Sequence, residues 1–176
     1  MQTALKQGYV QVYTGNGKGK TTAAMGLALR AVGAGLRVWV GQFLKAGNYS
    51  EIKGLGKLGK SLTVHQFGAG KFVRGKPSDA DRRAAKTGLE RALTVLTGGR
   101  ADVVILDEIL VAVAVGVLSV DDVLGLMALR PPTVELVLTG RGVDPRIRRE
   151  ADLVTEMRPV RHYYQKGVCA RRGIEW

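Results

Sequence analysis

The chain has 176 residues, 45% of them hydrophobic, which fits one globular domain with a sizeable core. One cysteine excludes an internal disulfide, and one cysteine with two histidines leaves no basis for a Cys/His zinc site. The net charge of +12 would suit nucleic acid, but Lys and Arg are scattered, with modest clusters at 146–149 and at Arg171-Arg172, and few aromatics interleave with them. A basic surface that attracts nucleotide phosphates or an acidic partner is the better reading.

Residues 1–7 read as a short N-terminal tail without the apolar centre of a signal peptide, so a cytoplasmic location is expected; residues 8–176 form the domain. Tyr9 to Tyr13 alternates as a strand. It runs into Thr14-Gly15-Asn16-Gly17-Lys18-Gly19-Lys20-Thr21-Thr22 and then a helical pattern from Ala23. Strand, glycine-rich turn and helix start together predict a phosphate cradle of the P-loop type. Permissive glycines let backbone N–H groups converge on an anion, while Lys20 and the helix dipole add positive potential. Lys18 adds to phosphate binding, and Thr21 can place its hydroxyl on a magnesium ion shared with the phosphates. Thr14 stands where the general pattern has glycine.

Leu36 to Phe43 is the second expected strand, and the Gly/Lys-rich stretch 45–60 reads as a mobile loop with at most a short helix. Leu62 to Phe67 alternates as a strand. Ser78 with Asp81 resembles a capping box opening a long helix, with Ala84, Ala85, Leu89, Leu93 and Leu96 at helical spacing. Asp102 to Leu106 reads as a buried parallel strand ending in Asp107-Glu108. Ile109 to Leu118, the longest apolar run, is about half of what spans a bilayer, so no membrane segment is expected. Within it Ile109 to Val115 is apolar on every face, so it is either wholly buried or an interface. Ser119 caps a helix that Arg130-Pro131-Pro132 ends; Thr133 to Thr139 is a strand followed by the turn Gly140-Arg141-Gly142. A short basic helix from Asp144 leads to a last parallel or edge strand, Leu153 to Met157. Cys169, in an apolar run, reads as a small core residue.

The alternation predicts a single α/β domain, a mainly parallel sheet with helices on both faces; together with the P-loop, the fold expected is P-loop NTPase-like (recombinase-type). Ligands of such sheets bind at the carboxyl ends of the strands. The P-loop, Asp107-Glu108 and Thr139-Gly140-Arg141 should gather there. One carboxylate of the acidic pair can hold magnesium and the other orient water or substrate, although an acidic N-cap for the next helix is the alternative. Arg141 can contact phosphate. From the residues alone a nucleic-acid-stimulated P-loop ATPase, or a small-molecule kinase, stays open.

A set of blocks in this order resembles the P-loop ATP:corrinoid adenosyltransferases. It comprises Thr14 to Ala24, Gln42-Phe43-Leu44-Lys45, Ile105-Leu106-Asp107-Glu108, Arg130-Pro131, Leu138-Thr139-Gly140-Arg141, Ala151 to Met157 and the closing Gly173-Ile174-Glu175-Trp176. Thr14 is itself a feature of that family. The resemblance implies transfer of the 5′-deoxyadenosyl group of ATP to the cobalt of a reduced corrinoid, with release of triphosphate. It implies Lys20, Glu108 and Phe72 as catalytic residues, and Mg2+ or Mn2+ held by Thr21, Asp107 and Glu108. ATP would be bound by residues 14–22 and Arg141, across the P-loop in a reversed sense. A homodimer is implied; an acidic flavoprotein reductant would suit the basic surface. The family's Gly-Phe-x-Trp block, which packs under the corrin, corresponds to Gly70-Lys71-Phe72-Val73-Arg74, with Arg74 where the family has Trp.

Overall fold

The apolar runs become six strands: β1 Val10–Thr14, β2 Val38–Phe43, β3 Leu62–Phe67, β4 Val103–Asp107, β5 Glu135–Thr139 and β6 Leu153–Glu156. In the computed structural model, which describes residues 5–70 and 75–175, they form one sheet in the order β3-β2-β4-β5-β1-β6. Every pairing is parallel, and β6 is the parallel edge strand expected for its segment. Phe72, Val73, Arg74 and Trp176 lie outside the described residues.

Among the described residues six α-helices connect the strands: α1 Lys20–Gly33, α2 Ser50–Leu55, α3 Asp79–Thr97, α4 Ile109–Ala114, α5 Val120–Ala128 and α6 Pro145–Glu150. Alternate strand residues separate two cores. Val38, Val40, Val103, Ile105 and Val137 pack with Ala24, Met25 and Ala28 of α1 and Leu55 of α2. Trp39, Phe43, Val104, Leu106, Leu136 and Leu138 pack with α3, α4, α5 and Ile147 of α6. A parallel sheet covered on both sides explains why β2 and β4 are buried along their whole length.

The capping box at Ser78 is formed, with Asp81 N–H donating to Ser78 Oγ and Asp81 accepting from Ser78 N–H. The same box opens α5 at Ser119 and Asp122. On α3 the buried stripe is Ala85, Gly88, Ala92, Val95 and Leu96; Ala84 and Leu93 are only half-buried. The 45–60 stretch holds α2 and a 3₁₀ segment, Gly56–Ser61, rather than one short helix. Helix α4 buries Ile109, Leu110 and Ala112, while Val111, Val113 and Val115 are half-buried and Ala114 is exposed. One expectation fails outright: Cys169 is exposed, within a run, 164–174, whose residues are all exposed.

Candidate functional site

The carboxyl ends of β1, β2, β4 and β5 meet above the sheet. Because β5 lies between β1 and β4, the P-loop and the acidic pair follow strands that are not neighbours in the sheet. A cleft of about 910 Å³ opens there, lined by Gly17 to Thr22 and by Lys45, Glu108 and Arg141 among others, a volume that suits a nucleotide.

The P-loop folds as its glycines require. Gly15 has φ 95°, and a Cβ there would lie 2.4 Å from the carbonyl oxygen of Met157. The loop rests on the end of β6: Gly17 N–H donates to Met157 O (2.7 Å), and Met157 N–H donates to Thr14 O (2.8 Å). Gly17 therefore contributes shape, not a donor for phosphate. Thr14 is buried and Asn16 exposed, and neither they nor Gly15 line the cleft. Donors for an anion come from the first turn of α1, ahead of the bond from Ala23 N–H to Gly19 O (2.7 Å). That turn has no side-chain cap and no acidic residue.

Lys20 is buried and donates to the carbonyls of Gly15 and Gly17, each at 2.8 Å. An ammonium has three donors, so one is left for a ligand in the cleft. Burial lowers its pKa, with Arg141 adding to the effect and Glu108 and Asp107 opposing it. Lys18 is exposed and turns to the closing segment, donating to Ile174 O at 2.6 Å. Thr22 and Arg141 line the cleft. Arg141 is placed there by Gly140, whose φ of 142° lets the chain pass Leu110, where a Cβ would come within 2.8 Å.

Asp107 is fully buried and accepts four hydrogen bonds. Thr21 Oγ1 (2.8 Å) and Thr139 Oγ1 (2.7 Å) donate to Oδ1; Lys45 Nζ (2.8 Å) and Gln42 Nε2 (3.2 Å) donate to Oδ2. Those are about the acceptor sites a carboxylate has. Sheet register builds part of this set, since Gln66, Gln42 and Asp107 stand side by side on β3, β2 and β4. Gln66 Nε2 donates to Gln42 Oε1 (3.1 Å), and Gly47 N–H donates to Gln66 Oε1 (3.0 Å). Burial acts to lower the Lys45 pKa, but Asp107, Glu108 and Glu51 outweigh it and raise it.

Glu108 differs from its neighbour. It occupies the position before α4 in the left-handed conformation (φ 62°) and makes no side-chain cap, which removes the N-cap alternative. Its N–H donates to Thr139 Oγ1 (3.0 Å), and its side chain lines the cleft. Burial pushes its carboxyl up, as does Asp107, against the pull of Lys45, Lys20 and Arg141. Among the described residues Leu44 (φ 57°) is the other non-glycine residue of positive φ, and it delivers Lys45. Such a residue costs about 1–2 kcal/mol, and both stand at strand ends facing the cleft.

Sequence reasoning brought together Lys20, Thr21, Asp107, Glu108 and Arg141. It missed the roles of Gln42, Lys45, Gln66 and Met157; the readable signal was that Lys45 and Met157 lie within two residues of the carboxyl ends of strands.

The sequence model of one protein family, described as ATP:corrinoid adenosyltransferase BtuR/CobO/CobP, matches residues 6–176. The corrinoid adenosyltransferase of Escherichia coli K12 is 38% identical over 173 residues, covering 97% of this chain and 87% of that protein. The Salmonella typhimurium corrinoid adenosyltransferase CobA is 37% identical, covering 99% and 89%, and the Pseudomonas aeruginosa enzyme is 34% identical, covering 97% and 85%. Among solved structures the flagellar accessory protein FlaH of Methanocaldococcus jannaschii superposes with TM-score 0.59 at 16% identity, covering 86% of this chain and 72% of that one; the likeness is one of fold.

Proposed function

Because the chain belongs to the ATP:corrinoid adenosyltransferase family, we propose that the cleft over its P-loop holds the triphosphate of ATP as the group that departs. The enzyme adenosylates corrinoids at the expense of ATP in cobalamin biosynthesis. A reduced, Co(I) corrinoid is a strong enough nucleophile to need no base. The cobalt–carbon bond forms at C5′ as the C5′–oxygen bond breaks, and that electron pair leaves on the triphosphate. The protein's tasks are alignment and stabilisation of the departing charge.

One observation carries the assignment: Lys18, Lys20, Lys45 and Arg141 line a single cleft together with the uncapped first turn of α1. That is a receptor for a polyanion. Lys20 holds the loop carbonyls and offers its third donor; Lys18 and Arg141 contribute charge at the mouth.

The residues fit a divalent cation shared with the phosphates. Thr21 gives its proton to Asp107, which leaves its oxygen lone pairs for an ion, and Glu108 presents an uncapped carboxylate to the cleft. We assign coordination to Thr21 and Glu108; Asp107, already accepting four bonds, holds Thr21 in place. Among the described residues no three Asp, Glu, His or Cys side chains gather to hold a metal by themselves, which suits an ion that arrives with ATP. Mg2+ or Mn2+, when bound, neutralises charge on the triphosphate. Phe72 lies outside the described residues, and packing under the corrin is the role that the resemblance implies for it. An acidic electron donor suits the exposed Arg158, Arg161, Lys166 and Arg172.

Incubation with ATP, Mg2+ and chemically reduced cobalamin should yield a photolabile adenosyl product and inorganic triphosphate. Orthophosphate or ADP without a cobalt–carbon bond would overturn the reading.

A further inference from the structure

The closing segment crosses the mouth of the same cleft. After a 3₁₀ turn, Tyr163–Lys166, the chain returns so that Gly173, Ile174 and Glu175 line the cleft opposite the P-loop. Glu175 is the hub of that segment. It accepts from Arg171 N–H (2.7 Å), from Arg171 Nε and Nη2 (3.3 Å each) and from the Tyr163 hydroxyl. The Arg171 guanidinium also lies over the Tyr163 ring, 4.9 Å from its centre. Lys18 Nζ stands 3.4 Å from Glu175 Oε1 while donating to Ile174 O.

A carboxylate at the mouth of a polyanion site is electrostatically adverse. Arg171 and Tyr163 would secure the segment without reaching the P-loop, yet Glu175 also meets a P-loop lysine. We propose that Glu175 is a positioning residue. Its carboxylate, braced by Arg171 and Tyr163, holds the Lys18 ammonium at the mouth of the cleft, so residues 173–175 form one wall of the triphosphate site. Lys18 can keep its bond to Ile174 O and still turn a donor to phosphate. The inference rests on the reading that Lys18 contacts the triphosphate. The Arg171 hydrogen bonds foremost, then Tyr163, hold the Glu175 carboxyl at about 2, so it stays ionised across the working pH range.

The direction of the effect separates positioning from bulk electrostatics. Removing a negative charge beside an anion site should tighten binding; removing a positioning group should weaken it. The measurement is calorimetric binding of inorganic triphosphate with Mg2+ to the full chain, its Lys18→Gln and Glu175→Gln variants, and the double variant. Lys18→Gln should bind more weakly, and Glu175→Gln about threefold more weakly, the scale of an exposed ion pair. Glu175→Gln should cost nothing further in the Lys18→Gln background. Tyr163→Phe keeps the carboxylate but removes one brace, and should weaken binding in the same direction. Unchanged or tighter binding by Glu175→Gln, with Lys18→Gln weakened, overturns the role of Glu175 and leaves that of Lys18 standing. A full additional loss in the double variant also overturns it. Unchanged binding by Lys18→Gln removes the reading beneath it.

Discussion

Strand β4 is bracketed by two buried aspartates whose surroundings differ. Asp102, just before the strand, is clamped by Arg37: the Arg37 N–H (2.8 Å), Nε (3.1 Å) and Nη2 (2.8 Å) all donate to its carboxylate. Arg37 also donates to Gly99 O, and backbone bonds run from Asp102 N–H to Arg37 O and from Glu135 N–H to Asp102 O. Each of these partners belongs to the segments that start β2, β4 and β5. Asp107, at the other end, is held by Thr21, Lys45, Thr139 and Gln42, and the first two line the cleft over the P-loop. Asp102 ties strand starts together and faces no cavity of the active site. Asp107 sets the positions of groups that line the cleft. A buried carboxylate must be satisfied in either place, but at the carboxyl ends of the strands its donors are borrowed from the chemistry.

Four substitution and pH experiments test that division. Lys20→Ala removes the central cation of the cradle and should lower adenosyl transfer by about 10²–10³-fold or more, the scale of losing one preorganised donor, with little change in unfolding; near-normal turnover refutes its role. Thr139→Val deletes the group linking Asp107 Oδ1 to Glu108 N–H. Activity per folded molecule should fall about 10–100-fold, as for other groups supporting a metal site; a change in stability alone would place Thr139 with Asp102.

At the opposite end Asp102→Asn should cost about 1–3 kcal/mol in denaturant unfolding, the worth of hydrogen bonds to a charged group, while turnover per folded molecule is unchanged. A matching loss of turnover would erase the contrast between the two ends. The smallest effect is in acid. Arg37 hydrogen bonds hold the Asp102 carboxyl below its ordinary 3.8, so its contribution is complete above that value and is lost as pH falls through the lowered one. Asp102→Asn should therefore unfold with a shallower pH dependence below about 4 than the parent chain. Identical acid profiles would deny Asp102 that contribution.

Much of the fold was legible because the governing signals are local. Apolar runs of strand length, the capping box at Ser78, the cap at Ser119 and the strand-turn-helix at 9–29 are set by residues close in sequence, and all formed. Cys169 misled because an apolar run predicts burial only if something packs on it. On α3 the stripe rotated toward Gly88 and Ala92, and Gly88 lets the helix approach Phe67 and Phe43 closely.

The sequence by itself determined the parallel α/β architecture, the phosphate cradle and the family, because periodicity, turn chemistry and ordered motifs are properties of neighbours along the chain. Tertiary structure alone decided what each acidic residue does. Asp107 meets Thr21, 86 residues away, and Gln42, 65 away, only because β2, β4 and β5 adopt one register beside the P-loop. Glu108 is spared for the cleft by one left-handed residue, and Lys18 is met from the far end of the chain. Such meetings depend on strand order, which no local pattern encodes.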